Sequence, residues 1–127
     1  MKKILPALAV LALLAGCGTA GNNSAYRRIS MKEAETMIRE EEPLVVDVRT
    51  AQEYAAGHIP GAVNLPLEAI GTGEIPLLPD KDQTILVYCR SGRRSQEAAG
   101  RLAELGYRGI VEIGGILDWD GETETAG

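Results

Sequence analysis

The alternation of strand-like and helix-like stretches predicts an α/β fold, a five-stranded, mainly parallel sheet with helices on both faces. Three observations carry this. Apolar runs at Leu44–Val48, Thr84–Tyr88 and Ile110–Ile113 read as strands, the first rich enough in Leu and Val to be buried on both sides. The capping pattern Ser/Thr-x-x-Glu stands at Ser30–Glu33 and again at Thr50–Glu53, so helices begin before and after the first run. Helices between successive strands make the connections crossovers, and right-handed crossovers distribute helices over both faces of a parallel sheet.

Taken in order, Tyr26–Ile29 reads as a short edge strand. Ser30 then caps a helix whose apolar face is Ala34, Met37 and Ile38, with Glu40–Glu42 as its solvated end and Pro43 as its stop. Leu44–Val48 is the next strand, and Thr50 opens a short helix after it. Asp47 and Arg49 lie at the C-terminal end of that strand, where open α/β sheets place their sites. Their expected role is to hold neighbouring loops, for instance through an Arg49–Glu53 ion pair. The turn-rich Gly57–Gly61 leads into a strand at Ala62–Asn64, and Pro66–Ile70 suggests a short helix. Gly71–Gln83 holds Gly71, Gly73, Pro76 and Pro79 and reads as a surface connection. Thr84–Tyr88 is the central strand. Gln96–Leu105 is a helix with an apolar stripe at Ala98, Ala99, Leu102 and Ala103, closed by Gly106. Ile110–Ile113 is the last strand. Gly114–Gly115 turns the chain into a final short helix with Trp119, which covers the core. No internal repeat and no second domain is visible.

The 127-residue length and ordinary apolar content fit one domain over residues 26–120. With no Phe and one Trp, its core must be built from Ile, Leu, Val and Ala. The formal charge of -5 argues against nucleic acid as a partner. Lys2, Lys3 and the apolar Ile4–Ala15 read as an export signal over residues 1–16, too short to span a bilayer comfortably. Leu14-Ala15-Gly16-Cys17 resembles a bacterial lipobox. That resemblance implies cleavage before Cys17, lipid attachment to it, and an extracytoplasmic domain anchored in the cell envelope, at the periplasmic face or the cell surface. Residues 17–25 are a small, polar, flexible tether, and residues 121–127 are expected to fray. With Cys17 carrying lipid, Cys89 is left as a lone thiol, a candidate reactive group in an oxidising compartment.

The chemistry points to Cys89-Arg90-Ser91-Gly92-Arg93-Arg94-Ser95, where a strand ends and a helix begins. Backbone N–H groups at a helix start point outward, and the helix dipole adds partial positive charge there. Gly92 can adopt a positive φ that lets several N–H groups converge. Such a site favours a thiolate at Cys89, and Arg90, Arg93 and Arg94 supply donors for an oxyanion. An inert structural cysteine would need neither the arginines nor the glycine. His58, the sole histidine, has the chemistry of a base, yet no cluster of His or Cys accompanies it to hold a metal.

This loop resembles the active-site loop of the rhodanese (thiosulfate sulfurtransferase) family. Further family-like pieces stand in order: Asp47-Val48-Arg49, Glu53-Tyr54, Gly57-His58-Ile59-Pro60-Gly61-Ala62, Asn64-Leu65-Pro66, and Gly114-Gly115-Ile116 with Trp119. Together they span Ile29 to about Trp119. The resemblance implies Cys89 as the catalytic nucleophile and Arg90, Ser91, Gly92, Arg93, Arg94 and Ser95 as the substrate-binding loop. It makes His58 a loop-stapling residue. The implied reaction takes a sulfane sulfur from thiosulfate or a similar donor onto Cys89 as a persulfide and passes it to cyanide or a thiol, with no metal or organic cofactor. One alternative is a sulfur carrier of weak turnover that docks on a partner protein. Another is a cysteine-dependent phosphatase or arsenate reductase, whose usual loop carries arginine six positions after the cysteine. Here that position is Ser95.

Overall fold

The computed structural model describes residues 25–126. The export signal, Cys17 and nearly all of the tether lie outside the described residues, as does Gly127. The elements are β1 (Arg27–Arg28), α1 (Met31–Glu41), β2 (Leu44–Asp47), α2 (Ala51–Ala56), β3 (Val63–Asn64), a helical turn at Leu67–Ala69, β4 (Ile85–Cys89), α3 (Arg93–Glu104), β5 (Ile110–Gly115) and a second helical turn at Ile116–Asp118. The strands lie in the order β1-β5-β4-β2-β3, and every neighbouring pair is parallel. The expected five-stranded α/β sheet is therefore observed, with β4 at its centre and β1 at one edge.

The local chemistry explains the boundaries. Ser30 accepts from the Glu33 amide at 3.0 Å while Glu33 accepts from the Ser30 amide at 3.0 Å. Thr50 and Glu53 repeat this at 3.1 and 2.9 Å. Each box satisfies helix N–H groups that would otherwise be orphaned, stabilising its helix by about 1 kcal/mol. α1 ends as Glu42 turns left-handed (φ 51°) just before Pro43. α3 begins at Arg93 rather than Gln96, because Gly92 at φ 106° lets the chain turn from strand into helix within three residues. Arg93, Arg94 and Ser95 thus form the first turn of a helix rather than a loop.

Alternation along the strands sorts the core into two layers. Val46, Ile85, Val87, Cys89 and Ile110 face Ala98, Ala99 and Leu102 of α3. Val45, Leu86, Tyr88, Val111 and Ile113 face Met31 and Ala34 of α1, with Tyr54 of α2 and Trp119 partly buried against them. Trp119 covers the core, as expected.

The C-terminal ends of β2 and β4 are tied by a buried polar knot. Asp47 accepts from the Arg49 amide at 2.9 Å, from Arg49 Nη2 at 2.7 Å and from the Tyr88 hydroxyl at 2.7 Å. Arg49 Nη2 also donates to the Gly57 carbonyl at 2.7 Å, and Tyr88 Oη accepts from the Ile59 amide at 3.1 Å. Burial works against the Arg49 charge, but the hydrogen bonds and charge of Asp47 outweigh it and raise the guanidinium's pKa. Burial, with the hydrogen bond to Asp47, also raises that of Tyr88. Asp47 and Arg49 do hold neighbouring loops, as expected. The expected Arg49–Glu53 pair does not form, because Arg49 turns inward to Asp47.

The expected frayed tail needs correction as well. Residues 124 and 126 are hydrogen-bonded to the body of the domain. His58 and Glu124 exchange two backbone hydrogen bonds of 2.9 Å, and the Ala126 amide donates to the Ala55 carbonyl at 3.1 Å. The Glu124 carboxylate accepts from the Gly61 amide at 2.9 Å and lies 3.4 Å from His58 Nε2. The tail is held because the Gly57–Gly61 turn presents backbone groups for it to pair with.

Asp47→Ala should strand the Arg49 charge and the Tyr88 hydroxyl without their acceptor, destabilising the fold by about 3–5 kcal/mol. Urea unfolding should show a lower midpoint at unchanged slope. A loss near zero would remove the knot from the forces that hold the strand ends together.

Candidate active site

Cys89 ends the central strand, one residue beyond Tyr88 of the knot. The β4–β5 ladder shifts register between Val87 and Cys89, which brings Cys89 opposite Gly115. Gly115 allows β5 to pass under the loop. A Cβ there would lie 2.1 Å from the Arg90 carbonyl oxygen and 2.6 Å from Ser91 Cα. No side chain fits, so glycine at 115 is a condition of this geometry. The Leu117 amide then donates to the Arg90 carbonyl at 3.2 Å, fixing the outer side of the loop.

The sulfur lies beneath this turn, with 1% of Cys89 exposed. Cys89 is the free cysteine of the described residues. The Gly92 amide donates to Sγ at 3.0 Å, and Ser95 Oγ lies 3.5 Å from it. Among the described residues, Gly92 gives the one backbone amide bonded to the sulfur, where the sequence suggests several. Arg90, Ser91 and Arg93 are exposed around the buried thiol, whereas Gly92 and Ser95 are buried beside it.

Arg94 is placed differently from its two neighbours. It donates to both Glu53 oxygens, at 2.8 and 3.1 Å, joining the first turn of α3 to α2. Those hydrogen bonds, supported by Thr50 and working against partial desolvation, lower the Glu53 carboxyl to about 2. The same hydrogen bonds raise the Arg94 guanidinium. The partner Glu53 finds is thus 41 positions away, not the nearby Arg49.

Ser95 is a crowded centre. Its Oγ lies 3.0 Å from the Gly92 carbonyl, 3.3 Å from the Gly114 carbonyl, and in hydrogen-bond contact with Glu112 Oε2. Glu112, at 1% exposure, also accepts from the Gly114 amide at 3.0 Å and from Arg28 Nε at 3.2 Å. Sequence reasoning did not single out Glu112. The available signal was alternation: Ile110 is buried toward α3, so residue 112 of the same strand shares its face.

His58 lies outside this cluster. Its ring stacks on Tyr54 with centroids 3.7 Å apart, and Nδ1 lies 2.9 Å from the Tyr54 carbonyl. Its contacts, with Tyr54 and Glu124, are those of a staple. Among the described residues, no group of three or more His, Cys, Asp or Glu side chains is placed to hold a metal ion.

Residues 30–122 match the model of the rhodanese-like domain. The chain is 38% identical over 73 residues to the thiosulfate sulfurtransferase PspE of Escherichia coli, covering 58% of this chain and 70% of that protein. It is 43% identical over 82 residues to a sulfurtransferase of Allochromatium vinosum, covering 62% and 73%. Among solved structures it resembles a rhodanese with anions from E. coli at 34% identity and a TM-score of 0.60, covering 65% of this chain and 98% of that one.

The Arg94–Glu53 pair should give the fold a defined acid sensitivity. Glu53 has a folded pKa of about 2 against an ordinary 4.5, so its stabilisation is complete above about pH 4.5 and is lost as pH falls through about 2. Thermal unfolding across this range should show the gap between wild type and Glu53→Gln shrinking between these two values. A gap independent of pH would contradict the pair.

Proposed function

The chain belongs to the rhodanese-like domain family, and from that premise we propose that it is a sulfurtransferase that carries sulfane sulfur on Cys89. The observation that carries the reading is the position of Sγ, at the end of the central strand and hydrogen-bonded by the Gly92 amide at the start of α3. An amide at a helix N-terminus stabilises negative charge on the sulfur. In the proposed reaction the Cys89 thiolate attacks the outer sulfur of thiosulfate. A bond forms between Sγ and that sulfur, the donor's S–S bond breaks, and sulfite leaves with the bonding pair. Cyanide or a thiolate then attacks the outer sulfur of the Cys89 persulfide, the S–S bond breaks and its electron pair returns to Sγ, so the two half-reactions are separate. No metal or organic cofactor enters either half.

The substrate-binding roles divide between rim and floor. Arg90 and Arg93, exposed with Ser91 around the buried thiol, are proposed to meet the anionic donor. Gly92 and Ser95 are proposed to contact the sulfur itself. Arg94, engaged by Glu53, is assigned to hold the first turn of α3 in place while adding positive charge nearby. A phosphatase reading lacks support, since the residue six positions after the cysteine is the buried Ser95.

The lipobox-like Leu14-Ala15-Gly16-Cys17 supports a further proposal, that the domain is lipid-anchored through Cys17 in the cell envelope, outside the cytoplasm. The expressed full chain should partition with membranes and carry a diacylglyceryl group on an N-terminal Cys17. Cys17→Ala should be recovered unlipidated, and a lipid-free wild-type protein would overturn the assignment.

The catalytic proposal is tested by loading the protein with thiosulfate. Mass spectrometry should show one added sulfur on Cys89 with sulfite released, while Cys89→Ser folds normally and takes up none. Turnover of an aryl phosphate without sulfur loading, or sulfur transfer by the Ser variant, would sink it.

A further inference from the structure

We infer that Glu112 is a positioning residue that holds a proton for Cys89, exchanging it through the Ser95 hydroxyl; this rests on the sulfur-transfer reading of Cys89. Ser95 Oγ carries a single proton yet has four polar neighbours: Cys89 Sγ at 3.5 Å, the Gly92 and Gly114 carbonyls at 3.0 and 3.3 Å, and Glu112 Oε2. The carbonyls can only accept. Sγ and the Glu112 carboxyl each either donate or accept, depending on which holds a proton.

Two arrangements therefore satisfy the row. In one, the Cys89 thiol donates to Ser95 Oγ and Ser95 donates to the Glu112 carboxylate. In the other, Glu112 is protonated and donates to Ser95 Oγ, and Ser95 donates to the Cys89 thiolate. The Gly114 amide at 3.0 Å and Arg28 Nε at 3.2 Å donate to Glu112 in both. Passing between them breaks S–H, makes a new Oγ–H, breaks the old Oγ–H and makes Oε2–H. The electron pair stays on sulfur, and the total charge is unchanged. The thiolate is thus made ready without a water molecule reaching a sulfur whose residue is 1% exposed. When an acceptor thiolate takes the outer sulfur of the persulfide, the pair returns to Sγ and the proton can return with it.

The charged and titratable groups facing Glu112 are few. Arg28 approaches from β1 and is itself 61% exposed, while Cys89 of β4 is reached through Ser95 of α3. Arg94 of α3 is turned to Glu53. A carboxylate serving only as a partner for Arg28 would not need to be buried against a serine that touches the sulfur.

The test is the pH profile of Cys89 alkylation by iodoacetamide, using wild type, Glu112→Gln and Ser95→Ala. Two groups sharing a proton titrate as a pair, so wild type should rise in two steps with a plateau between them. Both variants should rise in one step, alkylating at least about tenfold more slowly at the plateau pH. A single-step wild-type profile overturns the relay whatever the variants do, and so does a plateau that persists in folded Glu112→Gln or Ser95→Ala. The assay uses no sulfur donor. A plateau with no sulfur loaded from thiosulfate would sink the sulfur-transfer reading and leave the relay, and sulfur loading without a plateau would sink the relay alone.

Discussion

The C-terminal edge of the sheet depends on one buried carboxylate. Asp47 is fully buried, and its two oxygens are shared by the backbone and guanidinium of Arg49 and the hydroxyl of Tyr88. A charge in such a place is tolerated because each oxygen has donors and the opposite charge lies against it. The geometric return is large. Asp47 sits on β2, Tyr88 on β4, and the Arg49 and Tyr88 contacts to Gly57 and Ile59 bring in the turn before β3. Asn64 adds hydrogen bonds of 3.0 Å to the carbonyls of Asp47 and Arg49. Because Tyr88 points to the α1 layer, strand alternation sends Cys89 to the α3 layer. The knot thereby sets where the sulfur begins.

The rest of its placement comes from closeness rather than charge. β5 can lie against the Arg90 carbonyl because residue 115 has no side chain, and the shifted register brings that glycine opposite Cys89. Gly92 then turns the chain by a left-handed step into α3, so its own amide falls on Sγ. The Arg94–Glu53 pair joins α3, on one face of the sheet, to α2, whose Tyr54 packs on the other. About a third of each side chain is exposed, so its energetic worth is on the order of 1 kcal/mol or less. What the pair supplies is a link between the first turn of α3 and the first turn of α2.

The parts of this arrangement that were legible in the sequence are the local ones. Ser30 and Thr50 announce their helices because a capping box is complete within four residues. Cys89 with Gly92 announces a strand-to-helix turn for the same reason. What the sequence obscured depends on pairs far apart in the chain. Glu53 has Arg49 four residues before it and chooses Arg94, because Arg49 is drawn inward by Asp47. Residues 121–126 look like a loose end, rich in Glu and Thr, until the His58 backbone offers them a partner. α3 starts three residues earlier than the sequence suggests, because two arginines after a glycine look like loop although they serve equally well as a first turn. Glu112 was hidden by composition: a lone glutamate in Ile-Val-Glu-Ile is usually solvent-facing, and although alternation puts it on the face of Ile110, its partner Ser95 is seen only in three dimensions.

The domain's two buried carboxylates show why burial alone does not define a role. Asp47 and Glu112 are both buried, Asp47 at the C-terminal end of β2 and Glu112 within β5, on the two strands that flank β4. Asp47 is matched by a guanidinium that is itself buried, and by a tyrosine whose proton burial makes harder to remove. The Ile59 amide donates to the Tyr88 hydroxyl, which leaves that hydroxyl's proton for Asp47, so there is one way to satisfy the knot. Glu112 is matched on one side by an arginine open to solvent and on the other by a hydroxyl, which can donate or accept. Beyond the hydroxyl lies a thiol with the same ambiguity. A row of groups that can reverse their hydrogen bonds without moving a heavy atom is poor at specifying a fold and well suited to moving a proton. The fixed knot belongs beside the backbone of Cys89 and the reversible one beside its sulfur, which is where each is found.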